Sequence, residues 1–156
     1  MTAAEYFAQV RAAALEIAQA QRTIERLRSR EGVKGKAWDA VGHTTGVGDP
    51  YETTRQRMDF ELRIFNGQLE DAEKVVEEGM EVLYGRDGRG GLARMAGTKW
   101  ANVVHQRDCM AKTWSKVAYT LDMSRSQALR LYSEALDLVD DFGLARLKEG
   151  EGQASI

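Results

Sequence analysis

The stretch TWSKVAYTLDMSRSQALRLYSEAL, Thr113 to Leu136, holds two helix starts eleven residues apart, at Thr113 and Ser124. Thr113 suits an N-cap, its hydroxyl placed to accept a hydrogen bond from an amide of the first turn. Behind it, Trp114, Val117, Ala118 and Leu121 follow the i, i+3, i+4, i+7 spacing of a helix packed on one side. Asp122 stands where a tight turn demands positive φ, which Asp tolerates better than most residues. Met123 is placed to tuck into the core beneath that turn. Ser124 and Gln127 then form S-x-x-Q, a capping box that opens the second helix.

On this second helix Ala128, Leu131, Ala135, Leu138 and Phe142 form one apolar line, and Leu129, Tyr132, Leu136 and Val139 a second. The remaining stripe is Ser126, Arg130, Ser133, Asp137, Asp140 and Asp141, basic or hydroxylic first and acidic later. A helix lying in the major groove reads base edges with its N-terminal residues, while its far end leaves the DNA. On that geometry Thr113, Trp114 and Lys116 set the first helix over phosphates. Arg125, Ser126, Gln127 and Arg130 then face base edges just beyond the cap Ser124, and Ser133 reaches phosphate. Arg and Gln can each bond bidentately, to guanine and adenine respectively. The plainer reading is two packed helices of an α-bundle with Arg125 and Arg130 simply solvated.

Composition frames both readings. The chain has 156 residues, 43% apolar and 29% charged, with one proline and a net charge of −2. Ala, Leu, Glu, Arg and Gln dominate long stretches, which favours helix almost throughout, and few runs alternate like strands. Residues 99–149 carry eight Lys/Arg against seven Asp/Glu, so DNA binding there must come from local placement of cations. No apolar run approaches the ~20 residues that span a bilayer. A single cysteine, Cys109, excludes an internal disulfide, fits a reducing compartment and reads as a small buried hydrophobe. The expected location is cytoplasmic, with no membrane partner.

Ahead of this unit lie two heptad seams. Tyr6, Val10, Ala13, Ile17, Ala20, Ile24 and Leu27 alternate spacings of four and three, and Met58, Leu62, Phe65, Leu69, Ala72, Val76, Gly79 and Leu83 repeat the pattern. Such seams fold on each other or pair between chains, and periodicity does not choose. Self-association through Tyr6, Val10, Ile17, Ile24, Leu27, Leu62, Phe65, Leu69 and Val76 is the expectation, with a homo-oligomer as its product. Residues 32–50 hold five glycines and the only proline and read as a linker, with Trp38 docking on the helices and His43 solvated. The acidic run Glu70, Asp71, Glu73, Glu77, Glu78 reads as a solvated face.

Gly85-Arg86-Asp87-Gly88-Arg89-Gly90-Gly91 invites a phosphate-binding reading. The Walker order of Gly, four residues, then Gly-Lys-Ser/Thr is absent, as is GxGxxG, so a flexible turn is expected and no cofactor. Helix resumes from Leu92 to about Met110, with His105 an ordinary surface or half-buried residue. No nucleophile–base pair or metal-ligand spacing stands out, and no catalysis is expected.

The segment Trp114-Ser115-Lys116-Val117-Ala118, then Asp122-Met123-Ser124-Arg125-Ser126, ending Ser133-Glu134-Ala135-Leu136, resembles region 4 of sigma factors. It is closer still to small phage-encoded sigma-like regulators of late or autolysin genes. Their stretch reads W-x-x-[IV]-A-x-x-L-G-[YV]-S before a helix ending in A-L; here Asp122 replaces the turn glycine. The resemblance implies a helix-turn-helix of sigma region 4 type and a phage or prophage transcription regulator. It would bind double-stranded DNA, with RNA polymerase as a candidate further partner. A small DNA-packaging subunit of a phage terminase and a coiled-coil adaptor without DNA binding are the alternatives.

The expected fold is therefore all-α. A coiled-coil-like long-helix unit covers 1–84 with a linker at 31–51, and a glycine-rich turn covers 85–91. A helix-turn-helix unit covers 92–147, and a disordered tail 148–156.

Overall fold

The structure, a computed structural model, describes the backbone of residues 1–41 and 50–149 and the side chains of 1–29 and 52–149. Among the described residues every regular element is helical, and one isolated β-bridge joins Arg86 to Arg89. In chain order they are α1 (Ala3–Val41), α2 (Pro50–Tyr84), α3 (Leu92–Met95), α4 (Thr98–Val104), α5 (Trp114–Thr120), α6 (Arg125–Phe142) and α7 (Leu144–Glu149). A π-helical turn, His105–Cys109, follows α4 directly. The all-α expectation holds. None of the described helices is long and apolar enough to cross a membrane.

Both seams lie inward. Val10, Ala13, Ala20, Ile24 and Leu27 of α1 are buried, as are Met58, Ala72, Gly79 and Leu83 of α2; Tyr6, Ile17, Leu62, Phe65, Leu69 and Val76 are half-buried. The chain divides into two compact units, one of Met1–Leu15 with Ala72–Ile156, the other Glu16–Asp71. In the first, the start of α1 lies on the end of α2, and a Cβ on Gly79 would come 2.9 Å from Val10 Cγ2. In the second, Ala20 and Thr23 of α1 line one groove with Phe65 and Gln68 of α2. Nine of the fifteen seam residues are thus buried within the single chain, and the other six are half-buried there.

The division falls elsewhere than at the glycine-rich turn. The ends of both long helices join the C-terminal helices around Phe7, Val82, Leu83, Leu92, Val104, Val139 and Leu147, all fully buried. Two capping contacts fix the start of α1 there. Thr2 and Glu5 form a reciprocal capping box (Glu5 N to Thr2 Oγ1 3.2 Å, Thr2 N to Glu5 Oε2 3.1 Å), and the Ala3 amide donates to Asp140 of α6 at 2.7 Å. Asp140, on the acidic half of the α6 stripe, is therefore a cap for another helix.

Three local expectations are corrected. The linker placed at 31–51 is helical through Val41, because Gly32 and Gly35 each cost only about 1 kcal/mol against the good formers Lys34, Lys36, Ala37 and Ala40. Pro50 then opens α2, its fixed φ suiting a first helical turn. Residues 42–49, with His43, lie outside the described residues, as do the Trp38 side chain and the tail from 150. Within the tail expected from 148, Lys148 and Glu149 instead complete α7. The helix expected from Leu92 to Met110 is broken at Ala96-Gly97, where a Cβ on Gly97 would stand 2.7 Å from the Trp100 ring.

The Gly85–Gly91 stretch is a tight turn. Arg86 and Arg89 exchange backbone hydrogen bonds of 2.9 Å each, and the Gly91 amide donates to Leu147 of α7 at 2.7 Å.

Candidate nucleic-acid interface

The unit opened by Thr113 is built as its sequence directs. The Thr113 hydroxyl accepts from the Lys116 amide at 3.3 Å, and the Ser124 hydroxyl accepts from the Gln127 amide at 3.1 Å. Between these caps the Met123 amide returns to Ala118 O at 3.0 Å and the Asp122 amide to Tyr119 O at 3.3 Å. This is a Schellman turn, whose left-handed position is Asp122 with φ 54°, as its place in the sequence required. Met123 tucks under the turn into a cluster of Val103, Val117, Ala118, Ala128 and Leu131, with Trp114, Leu121 and Tyr132 around it. That cluster fixes α5 and α6 against one another and against α4.

Outside the cluster, Thr113, Lys116, Ser124, Arg125, Ser126, Gln127, Arg130 and Ser133 are all exposed. Arg130 makes a loose i,i+4 contact with Glu134 (3.8 Å), and Trp100 Nε1 donates to the same carboxylate at 3.0 Å. With both partners well exposed, the Arg130 contact contributes little and leaves the guanidinium free to turn outward. Leu129, assigned to the second apolar line, is 42% exposed, because it sits one step beyond the buried arc and beside Ser133.

Trp114 takes a different position from its neighbours. Half-buried, it meets the Tyr132 ring edge-on at 5.1 Å, and the Arg107 guanidinium lies over its face at 4.6 Å. Its ring surface is spent on packing α5 against Tyr132 of α6 and Arg107 of the π-helical turn.

The π-helical turn carries a group that sequence reasoning missed. Asp108 is 1% exposed, and Tyr132 Oη of α6 donates to its Oδ2 at 2.7 Å. Burial pushes this carboxyl up to about 6, with the Tyr132 bond and the nearby Arg107 and Arg11 pulling the other way. Arg11 Nε is buried without a hydrogen-bond partner among the described residues. The neighbouring Cys109 thiol is pushed up to about 12 by burial and then by Asp108, so it is the inert buried hydrophobe expected. His105 is half-buried against the Tyr84 ring at 5.6 Å, its pKa lowered by burial and by Lys112.

A pH dependence follows from Asp108. Its folded-state carboxyl keeps its proton to higher pH than the unfolded chain, whose value is near 3.8. The native state therefore binds more protons between about 4 and about 6, and Asp108 withdraws stability as pH rises through that window. Asp108→Asn keeps an acceptor for Tyr132 and removes the charge. Relative to the parent, its urea stability should improve from pH 4 to pH 7 by about 2–3 kcal/mol. Taking the difference between the two curves cancels the opposite contribution of His105, which favours folding as pH rises. Parallel stability–pH curves would show that Asp108 carries no such penalty.

Among the described residues no three of His, Cys, Asp and Glu gather as metal ligands. In the Gly85–Gly91 turn Arg86 is engaged with Glu81 at 2.6 Å, and Lys148 beside it with Glu78 at 3.5 Å. Comparison with protein-family models, curated proteins and solved structures found no match.

Proposed function

We propose that this chain is a sequence-specific DNA-binding transcription regulator, of the phage or prophage sigma-like type, with a helix-turn-helix formed by α5 and α6. The observation that carries the reading is the N-terminal face of α6. Arg125, Ser126, Gln127, Arg130 and Ser133 are exposed together while the opposite face is locked by Ala128, Leu131, Ala135 and Val139. In this reading α6 enters the major groove. Arg130, Gln127 and Ser126 reach base edges, exposed Leu129 adds an apolar surface for a thymine methyl, and Thr113 and Lys116 contact phosphates from α5. Ser124 caps the reading helix, and Trp114 supports it from behind. RNA polymerase is a further partner in the sigma-like reading.

Selection of binding sites from random duplex DNA is the direct test. A recovered consensus supports the proposal, and pools that stay random at low salt reject it. If Arg130 reads a guanine edge, Arg130→Ala costs about 1–3 kcal/mol at one base position. If it touches only phosphate, all sequences weaken alike and the salt slope falls by about one.

The paired long helices support a second reading, a small DNA-packaging subunit or a protein-binding adaptor. A ring-shaped oligomer in solution favours the packaging subunit, and absence of any duplex binding favours the adaptor.

A further inference from the structure

We infer that Trp100 of α4 is a positioning residue for Arg130: its indole N–H tethers the Glu134 carboxylate and keeps that carboxylate from neutralising the arginine. The inference takes its purpose from the DNA reading of α6, but its geometry stands without that reading. Glu134 lies on α6 one turn after Arg130, between two donors of unequal reach. Trp100 Nε1 donates to its Oε2 at 3.0 Å, whereas Arg130 Nε stops 3.8 Å from Oε1, beyond hydrogen-bond length. An i,i+4 pair with the cation first is the weaker order on a helix, so the carboxylate goes to the firmer donor.

The indole is firm because its ring is packed. It is half-buried against both apolar clusters, and Lys99 Nζ lies over its face at 4.4 Å. Gly97 makes room for it, since a Cβ there would stand 2.7 Å from the ring. A half-buried indole N–H calls for an acceptor, and a purely structural account of Glu134 ends there. The tether has a second consequence. Released from Trp100, Glu134 would face Arg130 with side chains 47% and 68% exposed and free to close the gap. A closed pair would take the guanidinium donors that a guanine edge or a phosphate needs. Trp100 thus keeps the reading arginine from being occupied by its own helix.

Two readouts on the full chain test the inference. One is affinity for the selected duplex at about 50 mM salt. The other is the mobility of the Arg130 Nε–H in the free protein, measured by NMR relaxation. Trp100→Phe keeps a ring and removes the donor. It should weaken binding by about two- to fivefold, the competition an exposed ion pair exerts, and should restrict the Arg130 N–H. Adding Glu134→Gln should return both readouts to the parent's level or beyond. In an Arg130→Ala background Trp100→Phe should leave affinity unchanged. A merely structural role for Trp100 predicts a loss that persists without Arg130 and that Glu134→Gln does not rescue; either result overturns the inference. Glu134→Gln alone, at an exposed site that leaves the fold intact, is the second variant. It should leave the Arg130 N–H as mobile as in the parent and raise affinity. A looser Arg130 or weaker binding in this variant would mean that Glu134 holds the arginine in place, and would overturn the tether. If the parent binds no duplex, or Arg130→Ala binds as well as the parent, the DNA reading falls, and the relaxation measurements decide the tether by themselves.

Discussion

Gly91→Ala should lower the melting temperature by about 10 °C, a large effect for a residue outside the apolar core. Gly91 has φ 89° and ψ 141°, a conformation that side chains of L-residues rarely adopt. An added Cβ would stand 2.4 Å from Gly85 N and from Tyr84 C, both backbone atoms that have nowhere to go. Relieving that clash pulls apart the turn and the 2.7 Å hydrogen bond from Gly91 to Leu147 that ties it to α7. Strain and clash together cost about 3–5 kcal/mol, which in a chain of this size corresponds to about 10 °C. Gly67→Ala is the matched control. It sits in open space on a regular helix and should stabilise the isolated chain by about 0.5–1 kcal/mol. Equal melting of the Gly91→Ala variant and the parent would mean that the turn is not built as described.

The second large effect concerns the paired helices. Ile17→Asp/Ile24→Asp should unfold the Glu16–Asp71 unit at temperatures where the parent is intact. Ile24 is 7% exposed and Ile17 half-buried. Each substitution removes apolar burial and places a carboxylate without a partner against the other seam, at about 3–5 kcal/mol for the buried site. Because the seams close within the chain, the loss should be independent of protein concentration. Circular dichroism melts at two concentrations a hundredfold apart check this. A melt that matches the parent contradicts the internal seam, and a loss that appears only on dilution returns it to an interface between chains.

Local codes were readable where one side chain acts on its own backbone. Thr113, Asp122 and Ser124 each occupy the position their chemistry indicates, and the two heptad seams run inward at the spacings of the sequence. Thr2-x-x-Glu5 carried the same kind of signal for the start of α1. What sequence could not supply were partnerships between distant residues. Nothing near Asp108 announces that Tyr132, twenty-four positions on, will donate to it. Asp140 is likewise indistinguishable from Asp141 until the first turn of α1 arrives beside it. Trp114 showed the limit within the candidate interface itself. Its place on α5 fits a phosphate contact as well as a support, and only its packing against Tyr132 and Arg107 separates the two. The linker failed for another reason. A high glycine count reads as a breaker, whereas two glycines spaced three apart among lysines and alanines tax a long helix without ending it.

The central claim, that the N-terminal face of α6 reads duplex DNA, is tested most directly by one comparison. Parent and Arg125→Ala/Arg130→Ala proteins are titrated with the selected duplex at about 50 mM and 200 mM salt. Both arginines are exposed, so the double variant should keep the parent's fold and melting. The account predicts a loss of affinity of at least about a hundredfold and a shallower salt dependence. Equal binding by parent and variant at the lower salt would contradict it, and α6 would then be a packed helix with solvated arginines.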